Sequence, residues 1–357
     1  MKNNFTAAAL LVIAVLLLLS GCTRNDGIFE YHLNVLGTFA QISIVGLTPD
    51  EARTAAITVE EDLMALDAIG YTFELDSELH RLNVAIKKGQ SLEVSDTLVE
   101  LIENAARLSS MSDGLFNPAT GQLTAFWEFH CDKDECSESP YPDEVQRLVN
   151  ERVEKIIAQR PSMDDVIIKD NRVSSRNRLV KLEFGDIIRG VALDKGIERL
   201  ASLGVANAMI DIGGNVRTTG TRGKHDWWIG LNGPAGKHSI ASLENIDNKS
   251  VVTVRAFDRS AGKLGPVYRH IVDPRTGLPV KDIQSVTVTH KSAMVASVAA
   301  STLLMAGTRD WKNIADRMDV HEILMITKDG DIYTSRAMEH VIHWKQGVQG
   351  QLLVPGR

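Results

Sequence analysis

The chain has 357 residues, with 39 Lys and Arg against 46 Asp and Glu, giving a formal net charge of −7. At 44% hydrophobic and 24% charged residues it can bury a full core, which excludes a disordered, collagenous or coiled-coil chain. The acidic balance, with no Lys/Arg run, lacks the electrostatic footprint of a nucleic-acid binder, and three cysteines are too few for a disulfide scaffold.

Lys2 is the only charge in the first 21 residues, and Ala7 to Leu19 is uninterruptedly apolar. A bilayer span takes about 20 such residues, so the run suits the h-region of a secretory signal instead. It ends in Leu19-Ser20-Gly21-Cys22, which resembles a bacterial lipoprotein signal. That resemblance implies cleavage before Cys22 and acylation of this cysteine. Residues 1–21 are therefore read as a signal peptide, 22–345 as the domain and 346–357 as a C-terminal tail. The expected location is the cell envelope, with the domain tied to a membrane through Cys22 and facing the periplasm or the exterior. Cys131 and Cys136 then remain, five positions apart in a polar, acidic stretch. Outside the cytoplasm a local disulfide is the favoured reading; two free thiols, or a metal site with His130, stay open.

Tyr31 to Val45 reads as one strand, and Glu51–Leu66 and Thr97–Leu108 read as helices. The second helix has Ser95 as its N-cap and Leu98, Leu101, Ile102, Ala105 and Leu108 on one face. Val145 to Ile157 marks a third amphipathic helix. A strand near Val180–Phe184 leads through Gly185 and Gly190 into a helix from about Ala192 to Leu203. Ala208–Ile212, Trp227–Leu231, Val251–Arg255, Val267–Val272 and Ser285–His290 read as strands. Ala293–Met305 is a small-residue helix that must be well buried, and Ile323–Thr327 with Ile332–Ser335 forms a hairpin around Asp329-Gly330. The mixture is α+β in a single compact unit.

Polar, glycine-containing clusters stand at the ends of these elements: 112–118, 185–190, 211–215 and 270–277. Glycines there let backbone amides approach a ligand closely. No G-x-G-x-x-G opens a helix after a strand, and no Walker-type, G-x-S-x-G, H-E-x-x-H or C-x-x-C motif occurs. Spacing alone points to an anion or nucleotide site built from loops.

The order of the clusters goes further. Leu36-Gly37-Thr38, Ser77 to Asn83 (Ser-Glu-Leu-His-Arg-Leu-Asn), Ser112 to Pro118, Gly213-Gly214-Asn215 and His270 to Gly277 (His-Ile-Val-Asp-Pro-Arg-Thr-Gly) together resemble the ApbE family of flavin transferases. The resemblance implies a T-fold-related unit with a flavin nucleotide site in a cleft between two subdomains. It implies FAD as the donor substrate, Mg2+ as the assisting cation and a flavoprotein subunit bearing a target threonine as the acceptor. FMN would pass to the threonine hydroxyl and AMP would leave. Carried over by position, the FAD-binding residues are Leu36, Gly37, Thr38, Phe116, Asn117, Pro118, Asp194, Gly213, Gly214, Asn215, Thr253, Arg255, His270 and Asp273. His270 is the candidate base, its near-neutral intrinsic pKa suiting the task. The cation would take the backbone carbonyl of Ile188 and the side chains of Ser297 and Ser301.

The chain departs from the pattern at three places. In Glu183 to Val191, Asp186 stands where the family has glycine and Arg189 where it has lysine. In Ser292 to Leu303, the family's metal-binding aspartate and threonine are Ser297 and Ser301. A serine cannot replace a carboxylate at a magnesium site. Thr253-Val254-Arg255 also departs from the family's T-S-G-like stretch. Two compensations are open: Asp186 supplies the missing carboxylate, or Arg255 neutralises pyrophosphate charge. The alternative function is a flavin-binding lipoprotein with weak or no transfer.

Overall fold

The structure, a computed structural model, describes residues 27–70, 77–128, 143–233, 238–244, 246–258, 267–268, 271–280 and 282–354. The expected signal segment, Cys22, Cys131, Cys136 and His270 lie outside the described residues. Among the described residues no helix is long and apolar enough to cross a membrane.

Nine strands make the main sheet, and their order in space is their order in the chain. They are β1 (Ile28–Val35), β2 (Thr38–Val45), β3 (Asn207–Ile212), β4 (Asn215–Thr219), β5 (Ser250–Arg255), β6 (Ile283–His290), β7 (Glu322–Thr327), β8 (Ile332–Thr334) and β9 (Gln351–Leu352). Neighbours are antiparallel except β8 and β9, which run parallel. The helices are α1 (Pro49–Gly70), α2 (Glu78–Lys88), α3 (Asp96–Met111), α4 (Gly121–Glu128), α5 (Asp143–Gln159), α6 (Gly185–Ser202) and α7 (Ala293–Met318).

Strand alternation divides the core. Ala208, Ile210 and Ile212 of β3, Val252 of β5, Val286 and Val288 of β6, and Ile323 and Met325 of β7 pack with the helices in one continuous cluster. Their neighbours Val251, Leu324 and Ile326 face the other way, into a second cluster with Trp227, Leu231 and Ile240. A three-stranded sheet, Ile229–Asn232, Ser239–Leu243 and Ile342–Trp344, contributes to this second cluster. Period-two side-chain placement thus builds both layers from the same strands.

The α+β expectation holds, and α3 forms as its spacing predicts. Ser95 Oγ accepts from Leu98 N–H at 3.3 Å, and the five apolar residues of the predicted face are all buried. Tyr31–Val45, however, is a hairpin and not one strand. Leu36 and Gly37 have φ of 52° and 68°, and a two-residue turn of type I′ needs positive φ at both positions. No strand forms at Val180–Phe184, where the chain makes only an isolated bridge between Thr120 and Lys181. The following helix begins at Gly185, well before the expected Ala192, and Gly190 lies inside it. The expected strand Val267–Val272 is described as Val267–Tyr268 and Val272–Asp273, which pair with different partners. Residues 346–357, set apart above as a tail, supply β9 and the buried Leu353.

Gly190 is a packing glycine. A Cβ there would lie against Met294 Cα and within 2.7 Å of Ala293 O, so only a residue without one lets α6 touch α7. Gly190→Ala should therefore lose stability by about 1–3 kcal/mol through overpacking, despite the roughly 1 kcal/mol that alanine gains in helix propensity. Denaturant unfolding measures the sign; a stabilised variant would refute the close contact.

Candidate functional site: a cavity at the hairpin end of the sheet

The β1–β2 turn (Leu36-Gly37) and the β3–β4 turn (Gly213-Gly214) sit side by side at one end of the sheet. Ala40 is in register with Ile212, and Gly213 N–H donates to Phe39 O at 3.0 Å. Gly213 and Gly214 have φ of 62° and 86°, the second two-residue turn with both central residues positive. A Cβ on Gly213 would stand 3.0 Å from Thr38 Oγ1, so the Thr38 side chain fills the space beside Gly213 and leaves no room for a second one. Leu36 N–H donates to Asp67 Oδ2 at 3.2 Å, holding the first turn to α1.

The third strand end is tied in by Asn215, whose Oδ1 accepts from Thr253 N–H at 3.2 Å. This brings Thr253-Val254-Arg255 beside the glycine turns. Gly214 N–H donates to Asp211 Oδ1 at 2.7 Å. Burial pushes the Asp211 carboxyl above its ordinary value, and that hydrogen bond opposes the rise.

Opposite the strand ends stand the first turns of α6 and α7. Gly185 N–H donates to Glu183 Oε1 at 2.6 Å at the entry to α6. The Ser301 hydroxyl donates to Asp186 Oδ2 at 2.5 Å, joining the two helices. Asp186 has its pKa raised by burial, against the Ser301 hydrogen bond and the positive charge of Arg189. Ser297 is one turn before Ser301 on α7 and only 2% exposed.

These groups enclose a cavity of about 360 Å³. Gly37, Thr38, Gly213, Asn215, Thr253, Arg255 and Ser297, all expected from the sequence, line it together with Asp186 and Arg189. Thr124 of α4, Glu183 and Gly185 complete the wall, as does Ile271. Thr124 and Glu183 were not anticipated as site residues. The signal in the sequence for Glu183 is its nearness to Asp186, and Thr124 has none.

Other expected residues lie elsewhere. The Leu36 side chain is in the core, 1% exposed, and the Ile188 side chain is buried inside α6, which does not bear on the role expected of its backbone carbonyl. Phe116 is buried. Asn117 donates to Pro161 O at 2.8 Å, and Pro118 O accepts from Glu183 N–H at 2.9 Å. That block braces the entry to α6, and Asn117 lines a separate cavity of about 460 Å³. Asp194 accepts from Ala293 N–H, Met294 N–H and the Ser292 hydroxyl at 2.8–3.1 Å, and from Arg217 Nε at 3.2 Å. Its oxygens are engaged in holding the start of α7. Asp273 forms a tight turn, accepting from the backbone and guanidinium of Arg275. Gly214 lines a neighbouring cavity of about 340 Å³. Ser301 is 1% exposed and reaches the site through Asp186. The proposed base His270 is outside the described residues.

The chain matches the ApbE family over residues 36–325. It is 30% identical over 304 residues to the FAD:protein FMN transferase of Rhodobacter capsulatus, covering 85% of this chain and 56% of that protein. The chain thus spans little more than half the length of that relative. With the FAD:protein FMN transferase of Vibrio cholerae it shares 26% identity over 330 residues, covering 90% of this chain and 94% of that one. Its fold is similar to the crystal structure of the ApbE protein from Thermotoga maritima, with a TM-score of 0.74 at 24% identity, over 88% of this chain and 99% of that one. The flavin transferase ApbE from Vibrio cholerae gives a TM-score of 0.72 at 24% identity, over 88% and 100%.

The raised pKa of Asp211 sets a pH test. Its folded form holds a proton more tightly than the unfolded chain does, near 3.8, so this contribution to stability is complete below that value and is lost as pH rises through the folded pKa. Asp211→Asn keeps an acceptor for Gly214 N–H and removes the buried charge. Its melting temperature should exceed that of the wild type at neutral pH, and the difference should vanish at acid pH. A pH-independent difference would overturn the assignment.

Proposed function

The chain belongs to the ApbE family, and from that premise we propose that it transfers FMN from FAD to a threonine hydroxyl of a flavoprotein acceptor, releasing AMP. The observation that carries this reading is the convergence of two glycine turns, the end of β5 and the α6–α7 seam on one cavity. Backbone close to the ligand, Arg189 and Arg255 on the wall, and the positive end of the α6 dipole suit a pyrophosphate. These features hold the donor and offset its charge, which is most of what phosphoryl transfer asks of a protein. In the step itself the threonine oxygen bonds to the FMN-side phosphorus. The phosphoanhydride P–O bond breaks, AMP departs with the electron pair, and the hydroxyl proton passes to a base. His270 is assigned that role by its place before Asp273-Pro274-Arg275-Thr276-Gly277.

Asp186, Ser301 and Ser297 offer only oxygen donors, the chemistry of a hard divalent cation such as Mg2+. Among the described residues no three His, Cys, Asp or Glu gather as a dedicated cage, so phosphate oxygens would complete the shell. The donor set therefore fits, with Asp186 as the carboxylate that Ser297 lacks. A bound cation would neutralise charge on the pyrophosphate. The lipoprotein-type N-terminus supports the location: the cell envelope, on a membrane through acylated Cys22, with the acceptor on the same side.

Two outcomes test this. The full chain in detergent, given FAD, Mg2+ and a threonine-bearing flavoprotein domain, should leave covalent FMN on the acceptor by mass spectrometry. Free AMP and FMN would indicate hydrolysis instead, and intact bound FAD a carrier. Calorimetry in the presence of FAD should show Mg2+ affinity reduced at least about tenfold in Asp186→Ala, the loss expected when a metal site's one carboxylate is removed. An unchanged affinity would remove Asp186 from the site and leave Arg255 as the compensating charge.

A further inference from the structure

The cavity of about 340 Å³ lies on the second face of the main sheet and shares Thr253 and Arg255 with the donor cavity. Asp211, Val251 and Thr287 form part of its floor. Its wall is the short strand Ile229–Asn232 with Trp228 just before it. A strand that shows one face to a cavity contributes every second residue. Here five consecutive positions, Trp228 to Asn232, all line it, so the cavity runs along the strand's edge.

That edge is open. The strand pairs with Ser239–Leu243 on one side and, among the described residues, with nothing on the other. Trp228 is 58% exposed beside it, and Gly230 is exposed too. An unpaired edge presents backbone N–H and C=O groups ready to accept another strand. Extended peptides bind such edges by their own backbone, with side-chain pockets adding selectivity.

We propose that this edge docks the acceptor polypeptide, which adds as an extended strand along Ile229–Asn232 and delivers its threonine at the Thr253–Arg255 junction. The proposal rests on the transferase reading above. Position argues for this occupant: the groove and the donor cavity are neighbours, and Thr253 and Arg255 line both. A hydroxyl on a strand seated there lies against the wall that the groove shares with the donor cavity.

The test separates the groove from the reaction. Among the described residues, a Cβ on Gly230 would meet Trp228 Cζ3 at 3.7 Å and Ser239 Oγ at 3.9 Å, ordinary contacts, so a side chain there is tolerated by the fold while it narrows the groove. Random dodecapeptides with a fixed central threonine would be enriched on the FAD-loaded full chain in detergent. Bound peptides should protect the amides of residues 229–232 from hydrogen exchange. Gly230→Trp should weaken them at least about tenfold, the scale expected when a strand's pocket and backbone contacts are blocked, with FAD affinity unchanged. Trp228→Ala, which adds no bulk, should weaken them as well. The proposal is overturned if no peptide is enriched, if peptides bind without protecting 229–232, or if both variants bind and accept FMN as the wild type does. Protection of these amides by self-association would assign the edge to a second copy of the chain. A wild type that binds peptide at this edge but transfers no FMN would instead refute the transferase reading.

Discussion

Helices α6 and α7 meet backbone to backbone where Gly190 faces Ala293 and Met294. Asp194 locks that contact, taking hydrogen bonds from the first amides of α7 while its own helix is α6. Because of this seam, a residue in the first turn of α6 can reach one in the third turn of α7. The Asp186–Ser301 hydrogen bond is the result. A side chain at position 190 would wedge the helices apart and separate this pair before it disturbed the sheet. The acidic residue facing the donor cavity is thus set by a glycine one turn away from it.

The opposite wall obeys a different constraint. Two-residue hairpins match the twist of antiparallel strands in type I′ or II′ turns, and type I′ needs positive φ at both turn residues. Gly213-Gly214 satisfies this without strain, whereas Leu36 does so with a bulky side chain buried in the core. The leucine is held by a hydrogen bond from its amide to Asp67 and by the packing around it. Both turns are tight and the Thr38 side chain packs beside Gly213, so a ligand at this wall would meet turn backbone together with Thr38 and Asn215.

Much of this was legible in the sequence, and the failures share a cause. The cap and apolar face of α3 are local, so spacing alone set them out. Glycine is ambiguous: Gly37 makes a turn where the local pattern predicts mid-strand, while Gly190 packs inside a helix where the pattern predicts a lead-in to it. The difference lies in what sits opposite each one, which no local pattern records. The same holds for polar residues. Asn83, in a block that matched the family, spans to Leu182, bonding its N–H at 2.7 Å and its C=O at 2.8 Å. Glu78 of that block holds the Ser95 amide and hydroxyl. Asp194 and Phe116 likewise serve the scaffold. Asp186 was visible only as a departure from the pattern, and its partnership with Ser301 needed the fold.

The strict chain order of the sheet conceals excursions between neighbouring strands, and the longest lies between β2 and β3. β2 and β3 are adjacent in space, yet α1 to α6 intervene between them in the chain. Entropy charges little for so long a loop at equilibrium, because closure cost grows only logarithmically with length. Kinetically the arrangement is demanding. The β1–β2 hairpin can form early, but the outer edge of β2, carrying Ile42 and Ile44, stays unpaired until residues 207–212 have been synthesised and brought back. During that interval the growing chain exposes an unpaired apolar strand edge, where a factor that shields nascent strands would act.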